Sequence, residues 1–334
     1  MAPAVPRLMR AVILKNFNPT DNLFVDDIQV PSLRSGDVLV RIGAAPINPS
    51  DLVFLRNQYG IKKPLPVVPG FEGAGTVVDA RGALARALLG LRVACHAPEN
   101  GDGTWAEYMV CRASACIPLL TTVTIEEGAS LIVNPLTALA LMDIVKKGAH
   151  KTFIQTAGAG ALGKMLARLA RREGIEVLNI VRRREQVELL KTLRCPYVLD
   201  CRQEGFEDQL KVLCQRLKVR LALDAVGGEL TAPIARAMIK GSRVIVYGAL
   251  SGDSCAISPA SLIFEGKSVE GFWLTEWLKH RSIGRILWMA FQAQRLLKQE
   301  LRTDVQARFP LDKIHEAIGL YKEKRSDGKV LLVP

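Results

Sequence analysis

The stretch Phe153–Arg184 constrains this chain more than any other. An apolar run, Phe153–Ala157, leads into Gly158, Gly160 and Gly163; a helical segment, Lys164–Arg172, follows, and then a second apolar run, Val177–Val181. Strand, glycine turn, helix and strand within roughly 30 residues is the setting in which a G-x-G-x-x-G pattern becomes a dinucleotide-binding turn. Gly158 is expected to permit the tight turn, Gly160 to let backbone approach a pyrophosphate, and Gly163 to let helix and strand pack closely. Ala161 and Leu162 belong to the turn as cofactor-binding positions, and the N-terminal N–H groups of the helix that follows then meet the phosphates.

The residues after the second strand separate two cofactors. An NAD site expects Asp or Glu about 20 residues after the glycines, accepting from ribose hydroxyls. Here that place holds Arg182, Arg183 and Arg184, with Glu185 only after them. Guanidinium groups hold a 2′-phosphate bidentately, whereas a carboxylate repels it. The cofactor expected from these residues is NADPH.

Around this unit the pattern changes twice. From Arg10 to about Leu119 the chain reads as short strands and turns, including the Asn18-Pro19-Thr20-Asp21 turn, a loop at Ala45–Asp51 capped by Ser50 or Asp51, and a proline-rich stiff loop from Asn57 to Gly70. Helical segments Thr124–Val133 and Leu136–Lys146 bracket Asn134-Pro135. Strict β/α alternation follows, with strands at 152–157, 177–181, 197–199, 221–225, 243–247 and 268–272, the count of a doubly wound parallel sheet. A long helical stretch from Trp273 to Leu297, a strand near Ala307, a helix at Lys313–Tyr321 and a strand at Lys329–Val333 are expected to rejoin the β-rich start. The expected domains are residues 1–130 with 275–334, β-rich, and 131–274, nucleotide-binding.

Composition enters mainly through what it excludes. No uncharged stretch reaches the 18 or so apolar residues of a membrane span, Gly128–Met142 being shorter and interrupted by Asn134 and Pro135, and Met1–Arg10 has no apolar signal core. Seven cysteines, odd in number, scattered and without C-x-x-C spacing, fit reduced thiols and a cytoplasmic location. The net charge of +12 fits an anionic ligand, a nucleic-acid surface or solubility alone. No Lys/Arg block with interleaved aromatics appears, so nucleic acid is not the expected main partner.

The β-rich start, Asn48-Pro49-Ser50-Asp51, Phe71-Glu72-Gly73, Asn134-Pro135-Leu136-Thr137-Ala138, the glycine turn and Gly328-Lys329-Val330 together resemble the medium-chain dehydrogenase/reductases. Within them the chain is similar to the zinc-free branch of quinone oxidoreductases and mitochondrial-type 2-enoyl thioester reductases, at Asn57–Gly60, Asn134–Ala138 and Gly271-Phe272-Trp273-Leu274. The resemblance implies an α/β fold in which a Rossmann sheet is inserted into a GroES-like β domain, and a homodimer formed through the nucleotide sheet near Ser258–Phe272.

Zinc members of the superfamily place a Cys near Asn48-Pro49 and a His at the Phe71 position. Asn-Pro-Ser and Phe stand there instead, so no metal site is expected, since a catalytic zinc needs three protein ligands. Cys95, Cys111 and Cys116 are expected to be buried thiols.

Without a Lewis acid the chemistry implied is hydride addition to a polarised C=C, with a donor for the enolate and a proton for the α-carbon. Tyr59 matches the tyrosine that enoyl thioester reductases set beside the nicotinamide; proton donation and simple packing both remain open for it. By the same resemblance Asn48 and Thr137 bind the nicotinamide end or orient water, with helix capping as the plainer alternative. Tyr247, Gly248 and Ala249 border the nicotinamide, Phe272 and Trp273 wall the site or join the core, and Lys329 approaches the cofactor phosphates. Substrates implied are enoyl thioesters, enones or quinones. A nucleotide-responsive RNA-binding protein of the same fold is the remaining reading.

Two departures stand out. Asp79–Leu91 carries an alanine-rich, arginine-bearing insert where the family has a glycine-rich stretch, which puts the strand pairing there in question. Arg183 replaces the acidic residue that enoyl reductases tend to hold between two arginines, which should strengthen the preference for a 2′-phosphate.

Overall fold

The computed structural model describes residues 5–17, 22–324 and 326–334; the Asn18–Asp21 turn lies outside them. The chain forms two units, Met1–Pro135 with Ala290–Pro334, and Leu136–Met289. Both passages fall later than the boundaries expected from the sequence. Each lies in or beside a helix, Val133–Lys147 and Ile283–Leu296, and a continuous helix carries no loop signal to mark a border.

The first strands are β1 (Leu8–Leu14), β2 (Leu23–Gln29), β3 (Asp37–Pro46), β4 (Glu72–Ala80), β5 (Arg92–His96), β6 (Tyr108–Arg112) and β7 (Cys116–Pro118). Then come β8 (Thr152–Thr156), β9 (Glu176–Val181), β10 (Tyr197–Asp200), β11 (Leu221–Asp224), β12 (Arg243–Val246) and β13 (Ser268–Gly271), and finally β14 (Val305–Phe309) and β15 (Lys329–Leu332). In the first unit β1 and β2 pair as a ribbon, and a second sheet runs β14-β15-β3-β4-β5-β7, with β6 also on β3.

This second sheet is antiparallel except for β14 on β15. The C-terminal segment therefore returns to the β-rich unit through β15, which sits between β14 and β3. β3 shifts register against β4 at Leu39/Val40 and again at Ile42/Ala44, the bulging that lets one strand serve several partners. The questioned segment keeps its pairing: β4 stays on β3 as far as Ala80, and only then does the insert coil into the short helix Ala83–Arg86.

The core beneath this sheet is built from alternate strand positions. Val12, Leu14, Val38, Val40, Val93, Met109, Val330 and Leu332 are buried around Trp105, itself fully enclosed. A buried Val, Leu or Ile contributes about 1.5–3 kcal/mol over its exposed state, so this cluster is the main support of the loops above it.

The second unit is a six-stranded sheet ordered β10-β9-β8-β11-β12-β13, every pair parallel. That is the doubly wound order, with its crevice at the carboxyl ends of the strands beside β8. All five residues of β8 are buried, as a central parallel strand requires.

Three expectations about helices change. Pro135 does not separate two helices; it lies in the first turn of Val133–Lys147, where its missing N–H has no intrahelical acceptor to lose. The preceding helix is shorter, Ile125–Ala129, opened by Thr124 and Glu127 in a capping box. The stretch Trp273–Leu297 breaks into Leu274–Lys279 and Ile283–Leu296, with His280, Arg281 and Ser282 between.

Candidate active site

In the nucleotide unit, the turn after β8 brings Gly158, Gly160, Ala161, Leu162 and Gly163 together. The left-handed position is Ala157, at φ +50°, and not Gly158. Gly158 is required for another reason: a Cβ there would stand 2.7 Å from Asn179 Oδ1 on β9. At Gly163 a Cβ would come within 2.6 Å of the Gly158 carbonyl and 2.7 Å of that of Ala157, so glycine there lets the helix close onto the turn itself.

The turn is braced from below by residues that sequence reasoning passed over. Gln155 Nε2 donates to the Gly163 carbonyl (3.0 Å) and to Asn179 Oδ1 (2.6 Å), and both side chains are fully buried. The helix Ala161–Arg172 then buries Met165, Leu166, Leu169 and Ala170. Its first N–H groups have no intrahelical acceptors, which leaves them for an anion.

At the end of β9, Arg182, Arg183 and Arg184 are exposed. Arg183 is the N-cap of the helix Arg184–Thr192, so the run sits at a strand end and a helix start.

Beside β8, Asp224 closes β11 as a fully buried acceptor. It receives Thr156 Oγ1 (2.7 Å), the N–H groups of Val226 and Gly227, and Thr231 Oγ1 (2.8 Å). Tyr247 N donates to the Asp224 carbonyl, and burial together with the Asp224 carboxylate pushes the Tyr247 hydroxyl above its ordinary range. Gly248 and Ala249 follow at the rim. The Phe272 and Trp277 rings lie 6.4 Å apart, tilted by 49°. Trp273 is 36% exposed, so it is not a core residue. Thr137 is buried on the helix Val133–Lys147.

In the first unit, Asn48 and Lys329 join a buried polar cluster that no sequence pattern marks, and Tyr59 lies beside it on the Phe71 ring. Asn48, and neither Ser50 nor Asp51, is the N-cap of the helix Pro49–Phe54; Asp51 reaches back instead, its Oδ2 accepting the Asn48 N–H at 2.7 Å. Asp51 Oδ1 accepts the Phe71 N–H at 3.1 Å. The Phe71 ring packs against Tyr59 at 4.8 Å and against Phe54 at 5.5 Å.

The next residue, Glu72, accepts Asn48 Nδ2 (2.9 Å) and the N–H groups of Ile132 (3.0 Å) and Val133 (2.8 Å). Lys329 Nζ donates to Asn48 Oδ1. Asn48, Asp51, Glu72 and Lys329 are all buried. Burial pushes Asp51 up to about 7 and Glu72 upward, against the pull of the Lys329 ammonium, and pushes Lys329 downward.

A second buried ammonium, Lys63, donates to the Gly101 carbonyl at 2.7 Å and lies 5.7 Å from the centre of Phe71. Burial lowers it to about 8. Both amide ends of Asn48 are therefore engaged by protein, and Tyr59 rests on a ring whose backbone a buried carboxylate holds. A lone Asp or Glu in an unaligned sequence looks like any solvated charge, so only the geometry reveals Asp51 and Glu72.

Comparison with known proteins agrees with both halves. The alcohol dehydrogenase GroES-like domain model matches residues 34–121 and the zinc-binding dehydrogenase model residues 161–287. The mitochondrial enoyl-[acyl-carrier-protein] reductase of Rattus norvegicus is 30% identical over 285 residues, 83% of this chain and 75% of that protein. The Homo sapiens enzyme of the same description is 30% identical over 84% of this chain and 76% of its own length.

The chain belongs to the medium-chain dehydrogenase/reductase family. Among solved structures, a Mesorhizobium loti protein provisionally described as an NADPH:quinone reductase superposes with a TM-score of 0.93 at 38% identity, over 99% of this chain and 100% of that one. The Etr1p/NADP/crotonyl-CoA complex, at 23% identity and a TM-score of 0.81 over 98% and 100% of the two chains, shares the fold. No helix among the described residues is long and apolar enough to cross a membrane.

Proposed function

We propose that the chain is an NADPH-dependent reductase of activated carbon–carbon double bonds, with 2-enoyl thioesters as its substrate class, working without a catalytic metal. The observation that carries this reading is the Tyr59–Phe71 pair. A phenylalanine, which cannot ligate, holds the place where zinc relatives have a histidine, and the proton-bearing tyrosine is seated on its ring. The rat and human relatives, both enoyl reductases, support the substrate class.

The nucleotide unit fits NADPH. The turn at Gly158–Gly163 presents the helix N-terminus to a pyrophosphate, and the exposed guanidiniums of Arg182, Arg183 and Arg184 supply a 2′-phosphate with charge-assisted donors. Tyr247, Gly248, Ala249, Phe272 and Trp273 border the nicotinamide end. Bound NADPH supplies a hydride to the β-carbon of the substrate.

The chain's own part is to receive the negative charge that develops on the thioester oxygen and to protonate the α-carbon. The Tyr59 hydroxyl donates that proton. Asn48, fixed within the first unit by Lys329 and Glu72, orients the acceptor or a water, and Thr137 of the second unit binds the nicotinamide end. Lys329 acts on the cofactor phosphates indirectly at most, because its ammonium is spent on Asn48.

The test is NADPH oxidation with a crotonyl thioester. Tyr59→Phe is expected to lower kcat on the order of 100-fold, the lower end of general-acid contributions, with NADPH binding unchanged. Unchanged turnover would refute the proton-donor role.

A second reading, quinone reduction, is favoured by the 38% identical Mesorhizobium loti structure. In that case quinones turn over faster than the crotonyl thioester and Tyr59→Phe has little effect on them. The RNA-binding reading gains no support from any of the relatives.

We also infer a homodimer through β13. It is the edge of the parallel sheet, and Leu262, Ile263 and Phe264 just before it are exposed at 39%, 70% and 77%. An exposed edge with adjoining apolar side chains is a pairing surface. Seven free cysteines fit a reducing compartment, the cytoplasm or the mitochondrial interior.

A further inference from the structure

Three cysteines from three strands come together in the first unit, none of them among the residues given a catalytic role above. Cys111 is the last residue but one of β6 and Cys116 begins β7, with Arg112 and the single turn Ala113–Ala115 between them. Their sulfurs lie 3.5 Å apart. Cys95, on β5, is the register partner of Cys116, but its thiol is directed elsewhere, donating to the Gly73 carbonyl at 3.6 Å.

We propose that Cys111 and Cys116 are a modification site: a dithiol that peroxide converts to a disulfide in the folded protein. A disulfide needs the sulfurs at roughly 2.05 Å, so the bond asks for about 1.5 Å of closure, shared between two side chains and the short turn between them. The two thiols differ in access. Cys111 is 2% exposed, whereas Cys116 is partly open to solvent.

That difference sets the order of events. The Cys116 thiolate attacks hydrogen peroxide, and the O–O bond breaks to leave a sulfenic acid and hydroxide. The Cys111 sulfur then attacks the Cys116 sulfur, the S–O bond breaks, and the Cys111 proton leaves with the departing hydroxide as water. Two thiols and one peroxide give one disulfide and two waters. The contact with Cys116 and burial both keep the Cys111 thiol protonated, so it resolves the sulfenic acid at its side instead of meeting peroxide itself.

The chain offers its own map of the bond. Arg112 lies between the two cysteines, so trypsin places Cys111 in the peptide Val93–Arg112 and Cys116 in Ala113–Lys146. The native protein is treated with hydrogen peroxide, its remaining thiols are alkylated, and it is digested without reduction. The expected product is these two peptides joined, two hydrogens lighter than their sum and separated by a reducing agent.

Cys95 shares the first peptide, so variants assign the link: Cys95→Ser retains it and Cys111→Ser loses it. Cys255, exposed on the other unit, reports that peroxide has acted. Oxidised Cys255 with Cys111 and Cys116 both alkylated would overturn the proposal. So would a link that persists in Cys111→Ser, or one that forms only in denaturant.

Discussion

Replacing Asp51 by asparagine isolates the energetic position of the buried cluster under Tyr59. The Asp51 carboxyl is fully buried and raised from 3.8 to about 7, a difference of about 3 pH units. At 1.36 kcal/mol per unit that is about 4 kcal/mol between the two protonation states. The native state binds the proton more tightly than the unfolded chain does. The stabilisation from this group is therefore complete below about pH 4 and is lost as pH rises through about 7.

Integrated from pH 5 to pH 8, the loss is about 2.6 kcal/mol. An asparagine does not titrate, and it offers one acceptor oxygen to the two N–H groups of Asn48 and Phe71, a cost that is constant with pH. Glu72 and Lys329 titrate in both proteins and cancel to first order in the difference. Urea denaturation of wild type and Asp51→Asn at pH 5, 6, 7 and 8, followed in the transition of the β-rich unit, gives that difference directly. Wild type is expected to lose about 2.6 kcal/mol of its advantage across this range. A constant difference, or one that grows with pH, would refute the assignment of Asp51 as a buried carboxyl held against its ordinary range.

Two further outcomes are expected. Arg182→Ala combined with Arg183→Ala lowers the preference for NADPH over NADH in kcat/KM on the order of 10- to 100-fold, the worth of about one charge-assisted bond; an unchanged ratio places the 2′-phosphate elsewhere. Glu72→Gln removes one of the two carboxyls that act on the buried Lys329 ammonium, Asp51 being the other, while keeping the shape of the side chain, and costs about 3 kcal/mol by equilibrium denaturation; a loss below about 1 kcal/mol would show that Asp51 alone balances the Lys329 charge.

The parallel sheet was legible because its signal is local. β8 and β9 read as short apolar runs, and the glycine turn between them carries its spacing in a single stretch. The β-rich unit was legible as strands and turns but not in its pairing, because β15 joins β3 from the far end of the chain. The corrections share one cause, that side-chain identity does not state backbone geometry: proline signals a helix break, yet Pro135 sits in a first turn where a helix accepts it, and Ala157 takes the left-handed position usually reserved for glycine. Within the site, Tyr59 and Asn48 could be named, yet the Asp51–Phe71 and Glu72–Asn48 contacts join residues 20 and 24 positions apart. No periodicity relates such positions, and a buried carboxylate carries the same letter as an exposed one.

The bond from Lys329 to Asn48 spans 281 residues, and this imposes an order on biosynthesis. At a ribosomal rate of roughly 5–20 residues per second, Asn48 emerges about 14 to 56 seconds before the lysine that anchors it. In that interval the whole of 136–289 has been made and can close its parallel sheet, while the end of β3 still lacks β15. The nucleotide-binding half is thus ready while the chain is still attached to the ribosome, and the half bearing Tyr59 is completed only when β15 has been made.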